Sequence, residues 1–139
     1  VVQAGPVEEV ALRPRSRFVA DLLGVNLVHG RSADAHTVEL STGGRLTLAD
    51  PLPGPEVSVA IRPQAVALHA HEPDGSPRNT WQATVADLET GNDRVRVRLD
   101  GPVPLTAEVT PSAVVELGLA PGADVWASVK AVDLTAYER

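Results

Sequence analysis

Two stretches of the chain repeat one pattern. In Pro55-Glu56-Val57-Ser58-Val59-Ala60-Ile61-Arg62 and in Ala123-Asp124-Val125-Trp126-Ala127-Ser128-Val129-Lys130, residues alternate with a period of two and end on a cation. A period of two sends successive side chains to opposite faces of a strand. Its recurrence makes the chain read as two degenerate copies of one small β unit. Upstream matches agree: Asn26-Leu27 aligns with Asn79-Thr80, and Thr37-Val38-Glu39-Leu40 with Arg96-Val97-Arg98-Leu99.

Turn chemistry sets the strand boundaries. In the first copy, strands are expected over 25–31, 36–40, 45–49, 57–62 and 65–70, broken by Ser41-Thr42-Gly43-Gly44 and the Pro51–Pro55 cluster. The second copy predicts strands over 79–89, 94–99, 105–110, 125–130 and 132–137. One helix is inserted there, with Thr110 as N-cap, Pro111 at its first position and Gly118 at its end. Ahead of both copies, Pro6–Leu12 and the segment from Ser16 to Leu23 carry helix signals, with Pro14 and Gly24 as stops. The division is therefore 1–24 as a helical linker, 25–70 as the first lobe and 76–137 as the second, with His71–Gly75 as a polar connector. Five short strands per lobe predict an all-β fold of tandem OB-like small barrels preceded by short N-terminal helices. A lobe of about 45–60 residues is marginal alone, so contacts between lobes or subunits should carry much of the stability.

Composition removes several function classes. Aromatic residues are 3% of the chain, so Val, Leu, Ile and Ala must build the core. The net charge of −6 lacks the basic stripe a nucleic-acid surface needs. Cysteine is absent, which excludes disulfides, thiol catalysis and thiolate metal sites. No apolar run approaches the roughly 20 residues of a membrane span, and direct insertion is not expected. The opening Val1-Val2-Gln3 reads as the inside of a longer polypeptide.

Chemistry-bearing residues point to binding rather than catalysis. The sequence holds no phosphate loop, no dinucleotide fingerprint and no nucleophile-elbow arrangement, so no catalytic residue is expected. His69-Ala70-His71 could set two imidazoles on one strand face, but no carboxylate stands at ligand spacing, and a surface pair of neutral histidines is expected. A donor set remains. Ser76, Arg78 and Asn79 open the second copy, Thr110 caps a helix and Lys130 ends a strand. One Arg, one Lys and several neutral donors suit a dianion, whose burial in an acidic protein requires aimed donors in place of water. From spacing alone the favoured reading makes Thr110 only a cap, Lys130 a surface strand end and Arg78 a solvated loop residue.

These same residues carry a family resemblance. Ser76-Pro77-Arg78-Asn79, Leu105-Thr106-Ala107-Glu108-Val109-Thr110, Glu116-Leu117-Gly118-Leu119, Pro121-Gly122 and Val125–Ala131 resemble the molybdopterin-type oxyanion-binding (Mop) domain, in order, over about residues 76–137. Val59-Ala60-Ile61-Arg62-Pro63-Gln64 is similar to a segment of the TOBE regions of ABC-importer ATPases. Residues 8–24 resemble the segment that leaves their nucleotide-binding domain. Together the pieces resemble the C-terminal regulatory part of a molybdate-importer ATPase subunit without its catalytic domain.

The resemblance implies a homodimer holding molybdate or tungstate, no cofactor and no metal. It places the whole protein at the cytoplasmic face of the membrane, where the ATPase domain works with permease subunits and bound oxyanion dampens uptake. Matched residue by residue, Ser76, Arg78, Asn79, Thr110 and Lys130 are the implied oxyanion-binding residues. Two positions depart from the motif. Pro77 replaces an alanine and removes a backbone N–H, and Ala113 replaces a serine. Each loss costs on the order of 1 kcal/mol of anion binding. Val25 stands where the second lobe has Arg78, so no equivalent first-lobe site is expected. The alternative is a structural dimerisation or docking module of an importer ATPase for another substrate, with a degenerate anion site.

Overall fold

Burial alternates most regularly in the segment whose sequence alternates most regularly. That segment is Val95–Asp100, where Val95, Val97 and Leu99 are buried while Arg96, Arg98 and Asp100 face solvent. A computed structural model describes residues 24–73 and 79–139, so the two expected N-terminal helices lie outside the described residues. Ten strands follow: β1 (Asn26–Ser32), β2 (Thr37–Leu40), β3 (Arg45–Thr47), β4 (Glu56–Ile61), β5 (Ala67–His69), β6 (Asn79–Thr90), β7 (Val95–Asp100), β8 (Leu105–Val109), β9 (Asp124–Val129) and β10 (Leu134–Glu138). The single α-helix among the described residues, α1, spans Pro111–Leu117, and 3-10 turns cover Pro63–Ala65 and Ala131–Asp133. The expected all-β, tandem OB-like architecture is present.

The strands form two five-stranded sheets, in the orders β10-β4-β1-β2-β3 and β5-β9-β6-β7-β8, and all the pairings are antiparallel. Adding five to each label of the first sheet gives the second, provided β10 is matched with β5. The two halves therefore exchange their last strands. β5 leaves the first half to pair with β9, and β10 returns from the second half to pair with β4.

Each sheet curls where its longest strand changes partner. The first residues of β6 pair with β9 and its later ones with β7, and a register shift between Val85 and Asp87 marks the handover. Such a bulge adds local twist and bends the strand. In β1 the handover from β4 to β2 falls at Gly30, where a Cβ would strike the Glu39 carbonyl and the Val38 side chain. Glycine is thus required there by close approach. One continuous core lies beneath both sheets, including Val57, Val59 and Ile61 from β4 and Val97, Leu99 and Ala127 from the second sheet. At the rim, Gly44 packs against Pro102 and Val103, and the Thr42 hydroxyl donates to the Pro102 carbonyl at 2.7 Å.

Candidate functional site

The start of β6 is held by a buried amide. Asn79 is 3% exposed, and its Oδ1 accepts the Thr47 N–H at 2.6 Å while Nδ2 donates to the Thr47 carbonyl at 2.9 Å. A longer bond runs from Nδ2 to the Val129 carbonyl at 3.4 Å. Asn79 belongs to the second sheet and Thr47 to β3 of the first, so this side chain pins the sheets together. Its amide hydrogens are committed to backbone carbonyls. Asn79 therefore fixes the start of β6 by side-chain-to-backbone bonds.

Lys130 lies next to that anchor. Asn79 pairs with Val129 in the ladder, and Lys130 follows at once as the exposed residue that opens the 3-10 turn over Ala131–Asp133. It lines a groove of about 950 Å³ with Thr47, Gln64, His69, Ser128 and Asp133. Within the groove His69 Nε2 lies 2.8 Å from Ser128 Oγ, so this imidazole is hydrogen-bonded. No group of three or more His, Cys, Asp or Glu residues positioned to hold a metal occurs among the described residues.

Thr110 caps α1 as the spacing predicts. Its hydroxyl accepts the Ala113 N–H at 3.2 Å, Pro111 occupies the first turn, and Gly118 closes the helix at φ 63°. Thr110 follows β8, whereas Asn79 and Lys130 belong to β6 and the end of β9, so the sheet order separates them by β7. Thr110 follows the last strand of that order, whose outer edge is bonded by the Asn26 side chain at Thr106 and reached by Gln64 at Glu108. Ser76 and Arg78 lie outside the described residues.

The site's counterpart in the other lobe was visible only as an aligned asparagine. Asn26 makes the same bonds as Asn79: Oδ1 accepts the Thr106 N–H at 2.8 Å, and Nδ2 donates to the Thr106 carbonyl at 2.8 Å and the Ile61 carbonyl at 3.1 Å. The Asn26-Leu27/Asn79-Thr80 alignment signalled the repeat. The backbone partners Thr47 and Thr106 carried no side-chain signal. A second groove, of about 460 Å³, lies beside Asn26 and holds Asp87, Glu89, Arg96, Arg98 and Asp100, a mixed-charge lining rather than a cationic one.

Two curled five-stranded sheets with exchanged edges and paired asparagine anchors define a tandem OB-like β module. Residues 75–136 match the TOBE domain family. Relatives extend the similarity to almost the whole chain. The molybdenum import ATP-binding protein ModC of Mycobacterium tuberculosis is 39% identical over 144 residues, covering 99% of this chain and 39% of that protein. The molybdate/tungstate import ATP-binding protein WtpC of Pyrococcus abyssi is 34% identical over 132 residues, covering 94% and 38%. The chain thus spans well under half the length of these relatives. Among solved structures, the cytoplasmic molybdate-binding protein ModG with molybdate bound superposes with a TM-score of 0.66 at 27% identity, covering 80% of this chain and 94% of ModG.

Proposed function

We propose that this chain is the oxyanion-binding regulatory domain of an ABC importer ATPase, taking up molybdate or tungstate and dampening uptake as the anion accumulates. The observation that supports it best is the anchored corner at Asn79 and Lys130, inside the TOBE segment and beside the motif Ser76-Pro77-Arg78-Asn79. Arg78 and Lys130 balance the dianion, Ser76 and Thr110 supply directional donors, and Asn79 holds the strand from which the motif departs. Charge-assisted bonds of this kind are the strong ones. The printed names of the relatives, two import ATPases and a molybdate-binding protein, agree with that ligand class. In the whole protein this domain works as a homodimer attached to an ATPase domain and permease subunits at the cytoplasmic face of the membrane. ATP hydrolysis belongs to that other domain. No helix among the described residues is long and apolar enough to cross a membrane.

Calorimetric titration with molybdate, tungstate and sulfate tests the reading. Heat with the first two, lost on Lys130→Ala, is expected; a folded protein giving no heat with any of the three sinks it. A second reading has one specific observation in its favour. Val132 is 73% exposed in the groove beside Lys130, as an apolar contact in a docking or dimerisation module would be. A stable dimer without any ligand response selects that reading.

A further inference from the structure

We propose that His69 and Ser128 extend the oxyanion site around Lys130 and couple anion binding to uptake of a proton. The inference rests on the oxyanion-binding reading above. Alternation along β9 sends Val125, Ala127 and Val129 into the core. Trp126, Ser128 and Lys130 therefore share the opposite face, with Ser128 and Lys130 about 7 Å apart along the strand. On one side β5 sets His69 opposite Trp126; on the other, β6 sets Thr80 opposite Ser128. An imidazole, two hydroxyl residues and an ammonium thus collect on one face. His69, Ser128 and Lys130 line one groove.

The bond from His69 Nε2 to Ser128 Oγ, at 2.8 Å, gives this set a switch. When Nε2 of the neutral ring carries the lone pair, the Ser128 hydroxyl donates to it and its hydrogen is occupied. A protonated ring carries N–H on both nitrogens. Nε2–H then donates to Ser128 Oγ, and the hydroxyl hydrogen is released to donate to an anion held at Lys130. One proton moves from solvent to His69, and no covalent bond of the anion breaks. Protonation also adds a second positive charge to the groove.

Charged groups of both signs surround His69. Lys130 shares the groove with His69, and His71 stands two residues further along the chain. Asp133 is the carboxylate that lines the same groove. Glu108 stands at the groove's edge, accepting from Gln64 Nε2 at 3.5 Å. A bound dianion tips the balance toward the protonated ring, and by linkage the protonated ring tightens the dianion.

Titration calorimetry with molybdate in two buffers of different ionisation enthalpy, from about pH 8.5 to about pH 5.5, spans the range in which imidazoles in general change charge. Affinity is expected to rise about three- to tenfold as pH falls, with up to about one proton taken up per anion. His69→Gln keeps an amide to bond Ser128 but cannot titrate, so its affinity should be flat with pH and its heat independent of buffer. Ser128→Ala should lose affinity mainly at the acidic end. Wild type and His69→Gln sharing the same pH dependence would overturn the inference, as would binding without proton uptake, and in both cases the oxyanion reading stands. No heat from the wild type at any pH removes both.

Discussion

Asn26 grips Thr106 in both directions, accepting its N–H and donating to its carbonyl at 2.8 Å each, and Asn79 grips Thr47 in the same way from the other lobe. Each asparagine opens the central strand of its own sheet and bonds the edge strand of the other. Two amides related by the repeat, Asn79 buried and Asn26 half-buried, therefore join the halves by four backbone bonds. Apolar packing supplies the bulk of the stability, but these bonds fix how the sheets are aligned.

Removing either amide strands two backbone groups. Asn79→Ala should destabilise the fold by about 2–4 kcal/mol, since each buried group left unpaired costs about 1–3 kcal/mol. Asn26, only partly buried, should cost less. Urea unfolding monitored by circular dichroism measures both. A loss below about 0.5 kcal/mol for Asn79→Ala would mean that the clamps are incidental.

Lys130 can be tested without touching the core. It is exposed and opens the 3-10 turn without a side-chain cap bond, so Lys130→Ala should leave the melting temperature nearly unchanged. Molybdate affinity should fall roughly 10- to 150-fold, the equivalent of about 1.5–3 kcal/mol for a bond to a charged group. Arg78→Ala should weaken binding on a similar scale. An unaltered affinity in both variants would remove them from the site.

Thr110 has two separable duties. Thr110→Ala removes the α1 cap and should cost about 1 kcal/mol of stability. Thr110→Asn restores a capping side chain without the hydroxyl. If the anion depends on the hydroxyl, stability returns in Thr110→Asn while affinity does not; joint recovery would make Thr110 a cap alone.

The turn between β1 and β2 predicts an acid-side effect. Asp34 Oδ1 accepts the backbone N–H groups of His36 and Thr37 at 2.9 Å each. The His36 N–H first, and then the Thr37 hydroxyl, hold its carboxyl below the ordinary carboxylate range. A carboxyl lowered in the folded state stabilises the fold above its unfolded pKa, and that contribution fades as pH falls through the folded value. The stability gap between wild type and Asp34→Ala should therefore shrink between about pH 5 and about pH 2. Urea midpoints across that range report it; a constant gap would show that the carboxylate's charge plays no part.

Much of this architecture was legible in the sequence, because period-two alternation and turn residues are local signals. All ten strands fall where the alternation and the turns placed them, within a few residues, and Thr110, Pro111 and Gly118 bound the helix as capping chemistry requires. Sheet membership was not legible. The segment around Ala67–His69 reads like any other short strand, and nothing local says that its partner is β9 rather than β4. Pairing across such distances is decided by edges left open in the assembled sheets. The asparagines show the same division. Their alignment was visible, but Thr47 and Thr106 answer with backbone atoms, which any residue type could supply. In sequence His69 looks like a surface imidazole, because its partner Ser128 lies far along the chain and is brought near only by that strand exchange.

The exchange of β5 and β10 also bears on how the chain is made. As the polypeptide emerges from the ribosome, β1 to β4 can pair, but the outer edge of β4 stays open until residue 138 is free. The second sheet, by contrast, finds β5 already synthesised. The half made first is thus the half finished last, and its exposed β4 edge, Val57-Ser58-Val59-Ala60-Ile61, must be kept from other chains in the meantime.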